Sequence, residues 1–345
     1  MTTLVAVAGL SLALYAAMFV PLERAFPARP GQRAWRRDSA VDLAFFAGQY
    51  LAWGALALAV LAALRRPLDG AVPVAWRHAV AAWPAAAQIA AAVIAGDLLV
   101  YAWHRACHAV PLLWRFHAVH HTATELDWLA AHREHPLDGL TTQLAQNLPA
   151  MVLGLSLRDA GALIVIRGAW GLFIHSNAAL DPGWLRFVLG APALHHHHHA
   201  RDAAPANFAN LAPWIDVLFG TYHRPTGPET YALGVREPAP RGYLALLAWP
   251  LATAVGRRHV SDMPTYVYET RPTDGSAPRT FEVQQKMADP PLEKDPETGA
   301  PCERVLTAPF LGGVASKGAD ACETFGGGGC GMGACGMGGC GGGEA

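Results

Sequence analysis

The chain has 345 residues, 52% of them hydrophobic and 15% charged, with a mean hydropathy of +0.20. That balance is too oily for an ordinary soluble enzyme and makes membrane residence the first expectation. A formal net charge of -1 leaves no global field that would draw in nucleic acid or an anionic partner, so nucleic-acid binding is excluded.

Three apolar stretches approach the ~20 residues that a spanning helix needs: Leu4 to Val20, Leu43 to Leu64, and Ala85 to Trp103. The third carries Asp97, an expensive residue in lipid that marks either a site or a packed interior. A fourth apolar region, "LTTQLAQNLPAMVLGLSLRDAGALIVIRGAWGLFIHSNAAL", is interrupted by Arg158 and Asp159 and reads as two half-length helices or a re-entrant hairpin. The expected fold is an all-α membrane protein: a bundle of about four transmembrane helices under a helical, histidine-rich cap.

Orientation follows from arginines. Arg24, Arg29, Arg33, Arg36 and Arg37 between the first two spans outnumber Arg65, Arg66 and Arg77 in the next loop, which places the first loop, and with it the cap, in the cytoplasm. An uncleaved N-terminal anchor is expected rather than a signal peptide, because no basic residue precedes the first apolar run. Tyr243 to Val255 is short and proline-broken and reads as an interfacial helix. Cys107 is the only cysteine in the first 300 residues, so no disulfide framework is evident and the facing compartment is expected to be reducing.

Sixteen histidines set the chemistry. Asp97, Tyr101, His104 and His108 fall at steps of four, three and four on one helical face. His117, His120 and His121 repeat the convergence in "RFHAVHH". His195, His198 and His199 repeat it inside "LHHHHHA", with His196 and His197 between them as solvent-facing filler. Eight imidazoles exceed what one metal ion holds, so two metal ions, iron or zinc, are inferred. Asp97 either hydrogen-bonds a ligand imidazole or packs between helices. Asn207 and Asp216 read as turn or capping residues. Trp103, Trp114, Trp128, Trp170, Trp184 and Trp214 read as interface anchors and packing.

The blocks "DLLVYAWHRACH", "LLWRFHAVHHTATELDWLAAHREHPLD", "FIHSNAAL" and "APALHHHHHARDAAPANFANLAPWIDVLFGTY" resemble the fatty acid hydroxylase and sterol desaturase superfamily of membrane di-iron oxygenases, across about residues 90–225. The resemblance implies a membrane domain over residues 1–256. It implies His104, His108, His117, His120, His121, His195, His198 and His199 as metal ligands, with His175 of "HSN" and His135 of "HPLD" added. His132 stands where the family more often has another residue and is left out. The implied cofactor is a pair of iron ions, with zinc possible in purified protein. The implied reaction is O2-dependent hydroxylation or desaturation of a fatty acyl or sterol-like lipid. No flavin, heme or nicotinamide module is visible, so electrons must come from an external ferredoxin- or cytochrome-type reductase system. The alternatives are a carotenoid or ether-lipid oxygenase, or a membrane metal-binding protein without catalysis.

Beyond residue 258 the composition turns polar and proline-rich. Residues 263–310 resemble small FmdB-type zinc-ribbon proteins, but Thr270, Asp295 and Thr298 stand where cysteines are expected, so a metal-free, β-rich module is expected. The tail over residues 311–345, Gly-rich with Cys330, Met332, Cys335, Met337 and Cys340, is expected to be disordered.

Overall fold

The computed structural model describes residues 2–155, 157–251, 265–271, 278–284, 290–296 and 298–305. The chain divides into two units, Met1–His259 and Val260–Ala345. The sequence expectations for the tail and for the last four residues, 252–255, of the Tyr243–Val255 segment lie outside the described residues.

The first unit is helical. Among the described residues, three helical stretches are long and apolar enough to cross a membrane: α1 (Thr2–Ala25), a continuous run over Ser39–Ala71, and α5 (Ala85–Ala109). The Ser39–Ala71 run consists of α2 (Ser39–Gly48), a π-helical turn (Gln49–Trp53) and α3 (Gly54–Ala71), so it extends past the predicted span at both ends. Much of the apolar surface of these helices faces outward: Leu10 is 72% exposed and Leu58 60%. In water that exposure would oppose folding, whereas against acyl chains it is the stable arrangement. The first unit thus has the make-up of an integral membrane protein.

The fourth apolar region forms two helices, α7 (Pro136–Val152) and α8 (Leu157–His175), but they part ahead of Arg158 and Asp159, which fall in the first turn of α8 rather than at the break. α7 lies close along α5, and Gly96 permits the approach: a Cβ there would stand 2.8 Å from the Gln146 carbonyl oxygen. A short α4 (Val74–Ala81) precedes α5.

The cap is made of short helices whose starts are written in the sequence. Pro111, Pro136 and Pro192 each occupy the first turn of a helix, opening α6 (Pro111–His121), α7 and α9 (Pro192–His198). Proline there loses no hydrogen bond, and it forces the preceding residue into extended backbone. Val110, His135 and Ala191 are extended accordingly, so the chain turns sharply at each proline and folds its histidine segments back on one another. Two further short helices, α10 (Trp214–Leu218) and α11 (Tyr243–Ala248), belong to the described residues of this unit.

Charged groups pin the cap to the first two helices. Arg36 donates to both carboxylate oxygens of Asp127 and to Asp42, and Arg133 donates from Nε to the other oxygen of Asp42 at 2.6 Å. Asp42 is fully buried. Glu23 of α1 accepts from the backbone N–H groups of Trp128 and Asn177. Apolar packing of Phe19, Phe46, Trp128, Leu129 and Leu172 fills the space between these anchors.

In the second unit β1 (Thr265–Thr270) is the central strand, antiparallel to β2 (Thr280–Gln284) and β3 (Cys302–Val305). Thr270 and Asp295, two of the positions where cysteines were expected, are buried. The Thr298 hydroxyl donates to Asp295 Oδ2 at 2.6 Å.

Candidate metal centre

Nine imidazoles from four helices converge in two groups. His104 and His108 of α5, His117 and His121 of α6, and His198 of α9 form one; His120, His175, His195 and His199, from the end of α6, the end of α8 and α9, form the other. Within each group the candidate ligand atoms lie within 4.8 Å of one another.

Hydrogen bonds on the outer side fix the tautomers. His104 Nδ1 donates to the Phe208 carbonyl at 2.7 Å, His198 Nδ1 to Ala206 at 2.7 Å, His120 Nδ1 to Arg133 at 3.0 Å and His175 Nδ1 to Gly171 at 2.7 Å. His117 Nδ1 donates to Asp138 Oδ2 at 2.9 Å. A carbonyl oxygen can only accept, so each of these rings carries its hydrogen on Nδ1 and turns an Nε2 lone pair inward.

Those inward nitrogens crowd one another. Nε2–Nε2 separations are 3.1 Å for His108–His198, 3.2 Å for His117–His121, 3.0 Å for His120–His175, 2.9 Å for His175–His195 and 3.1 Å for His195–His199. Two nitrogens bound about 2.1 Å from a shared ion at right angles stand about 3.0 Å apart. The spacing therefore fits imidazoles gathered around transition-metal ions. The buried Nε2 of His104 has no hydrogen-bond partner among the described residues, which fits the same reading.

Burial favours the neutral form of several of these rings. It lowers the pKa of His120 to about 4, with the neighbouring His117 adding to the effect. His121, His195, His198 and His199 are held well below the ordinary histidine value, first by burial and then by neighbouring imidazoles. Neutral imidazole is the form that binds metal.

The backbone near Asn207 has a particular task. Asn207 is the one non-glycine described residue with positive φ, at 57°. Its side-chain amide donates to the carbonyls of Leu194 and His223, and its Oδ1 accepts from the His223 N–H. The reversal sets the two flanking carbonyls, of Ala206 and Phe208, against His198 and His104. Asp216 accepts from Phe208 N, Ala209 N and the Thr221 hydroxyl, which holds the same loop.

Both groups look onto one cavity of about 540 Å³. Leu4, Val7, Phe45, Leu58 and Leu61 form part of its apolar wall, and His104, His117, His120, His175 and His195 line it as well. The volume is within the range of ligand-binding cavities.

His135, His196 and His197 differ from their sequence reading, and Asp97 takes the second of its two readings, packing between helices. His135 joins neither group: as the residue before Pro136 it caps α7, its Nδ1 accepting from the Leu137 N–H, and its ring packs on Phe116. Asp97 reaches no imidazole, since seven residues of helix put it about 10 Å along the axis from His104; it pairs with Arg167 at 3.0 Å. His196 is not solvent-facing filler. It is 1% exposed, its Nδ1 meets Glu229 at 2.8 Å, and its Nε2 lies 3.3 Å from the His175 carbonyl. His197 is half-buried and stacks on His223. Asp138, unremarked in the sequence, orients His117; its place in the first turn of the helix opened by Pro136 was the available signal.

Residues 89–221 match the fatty acid hydroxylase family model. The chain is 32% identical to an ornithine lipid hydroxylase of Rhizobium tropici over 52% of its own length and 54% of the relative's. It is 26% identical to human alkylglycerol monooxygenase over 40% of this chain and 31% of that one. A delta(7)-sterol 5(6)-desaturase of Gibberella zeae is 29% identical over 37% and 36%. The chain thus spans about half of the first of these relatives and about a third of the other two. No solved structure matches. These relatives are named as a lipid hydroxylase, a monooxygenase and a desaturase, which are oxidoreductases, and the stretch that matches the fatty acid hydroxylase model, residues 89–221, carries all nine grouped histidines.

Proposed function

We propose that the protein is an integral-membrane oxygenase that holds two iron ions and uses O2 and electrons from an external reductase system to hydroxylate or desaturate a C–H bond of a lipid. The observation that carries this reading is the pair of imidazole groups facing one largely apolar cavity. The arginine-rich first loop supports a cytoplasmic position for the metal centre, with α7 and α8 together making the fourth membrane-embedded element. The second unit is read as a metal-free relative of a zinc ribbon, a reading supported by the Thr298–Asp295 hydrogen bond.

The iron pair, when bound, supplies the O2-activating redox chemistry that no side chain provides. The protein's own contribution is geometric and electrostatic. Carbonyls of Gly171, Arg133, Ala206 and Phe208, together with Asp138, hold five imidazoles in the tautomer that offers Nε2 to metal. The apolar wall excludes water and binds a hydrocarbon chain beside the imidazoles. His196, through Glu229, holds the end of α8 where His175 sits.

Comparative lipidomics of a deletion strain complemented with wild type or with His120→Ala tests the proposal. An oxidised lipid present with wild type and missing with the variant is expected; identical lipid profiles would overturn it.

A further inference from the structure

One buried nitrogen facing the cavity is used by nothing described so far. His132 closes a 3-10 turn (Ala130–His132) and is 8% exposed. Its Nδ1 donates to Gln49 Oε1 at 2.7 Å, which leaves Nε2 as a lone-pair acceptor. That Nε2 is buried and has no hydrogen-bond partner among the described residues. The ring belongs to neither imidazole group.

Its surroundings are built rather than incidental. The ring stands edge-on to Phe46, with centroids 4.9 Å apart, and near Tyr50. Gln49 and Tyr50 open the π-helical turn in the second long helical run, a local distortion that recurs at functional sites. Gln49, Tyr50, Trp53 and His132 all line the cavity. The next residue, Arg133, supplies the carbonyl that orients His120, so a group bound at His132 lies beside the four-histidine site. An apolar side chain would fill the same space without burying an unpaired nitrogen, and such nitrogens persist where a partner completes them.

We propose that His132 is a specificity-determining residue: its Nε2 accepts a hydrogen bond from an O–H or N–H group in the buried part of the lipid. This rests on the reading of the cavity as a lipid site. It identifies the substrate class as a lipid with a hydrogen-bond donor near the carbon that is oxidised, in contrast to a plain hydrocarbon chain.

The test is binding of matched lipid pairs to the metal-loaded, full-length protein in detergent. The pairs are an N-acyl amino acid and its N-methyl amide, a 1-alkylglycerol and its dimethyl ether, and a sterol and its methyl ether. Wild type is expected to bind at least one parent about three- to tenfold more tightly than its capped partner, and the preferred pair names the donor as amide or hydroxyl. His132→Phe should lose that preference while retaining affinity for the capped lipid, and His132→Gln, which keeps an acceptor, should retain part of it. Should His132→Phe fail to fold, Gln49→Leu, which removes the partner that orients the ring, should weaken the same preference. Equal binding of parent and capped lipids by wild type, or a preference that survives both apolar variants, overturns the proposal. Discrimination in binding with no oxidised product would count against the oxygenase reading alone.

Discussion

His120 and His175 direct their Nε2 atoms at each other across 3.0 Å, although each ring already donates its Nδ1 hydrogen to a carbonyl. Two lone pairs in that position repel unless a cation lies between them. Metal removal should therefore destabilise the protein: chelation is expected to lower the thermal midpoint, and added Fe(II) or Zn(II) to raise it in a concentration-dependent way. Metal analysis should give about two ions per chain for wild type and about one for His175→Ala. A variant that still held both ions would show that the four-histidine group is not a site.

Asn207 offers a test that acts on the imidazoles through the backbone. Its left-handed backbone sets the Ala206 and Phe208 carbonyls against His198 and His104. Asn207→Ala places a Cβ-bearing residue without a suitable side chain at φ 57° and removes three hydrogen bonds. Metal affinity at the five-histidine group is expected to fall by roughly 10- to 100-fold, as for loss of other groups that orient metal-binding imidazoles. Asn207→Gly relieves the backbone but not the hydrogen bonds, so it should recover only part of the loss in a metal-competition titration.

Asp42 is held between Arg36 and Arg133 with no exposure to solvent. Removing it leaves two buried guanidinium groups short of a partner, a change that costs about 3–5 kcal/mol where one member of a buried pair is lost. Asp42→Ala should therefore lower the thermal midpoint far more than exposed Asp202→Ala, whose partner Arg236 is itself on the surface. Equal midpoints would mean that the network does not anchor the cap.

Asp97→Ala separates packing from metal chemistry. The carboxylate pairs with Arg167 and approaches no imidazole, so the substitution should reduce stability while the folded fraction keeps its full metal content. A proportionate loss of metal would restore the sequence-based idea of a hydrogen bond to a ligand.

Much of this architecture was legible in the sequence because it depends on local periodicity. Spans announce themselves by length and apolarity, and histidines three and four apart share a helical face whatever the tertiary fold. What remained hidden depends on partners distant in sequence. His196 looked like filler because its neighbours His195, His198 and His199 claim the inner face of α9; that the opposite face is also covered requires Glu229 and the end of α8. His135 looked like a ligand by resemblance, and the turn forced by Pro136 makes it a cap instead. His132 and the π-helical turn carry no local signature, because their pairing joins residues 83 apart in the chain.

The titration of the metal-free protein should show two opposing slopes. His120 and His132 have pKa values lowered to about 4 by burial, and His121, His195, His198 and His199 lie well below the ordinary value for the same first reason. Between about pH 4 and 6.5 the unfolded chain binds protons at these sites and the folded chain does not, so stability rises with pH through that window, each ring adding at most about 1.4 kcal/mol per pH unit. Glu134 works the other way. Burial, then repulsion from Asp138, raises its pKa to about 8, so from about pH 4.3 to 8 the folded state holds a proton that the unfolded state has released, and stability falls as pH rises. Six rings outweigh one carboxyl below pH 6.5, whereas above it, where the imidazoles are neutral in both states, the Glu134 slope persists. Urea unfolding of metal-free wild type should thus show stability climbing to about pH 6.5 and then declining towards pH 8. Glu134→Gln, a neutral isostere of the protonated acid, should flatten the upper limb and leave the lower limb rising. If wild type and Glu134→Gln decline in parallel above pH 6.5, the carboxyl is ionised in the fold and the cavity beside His117 is more hydrated than its walls suggest.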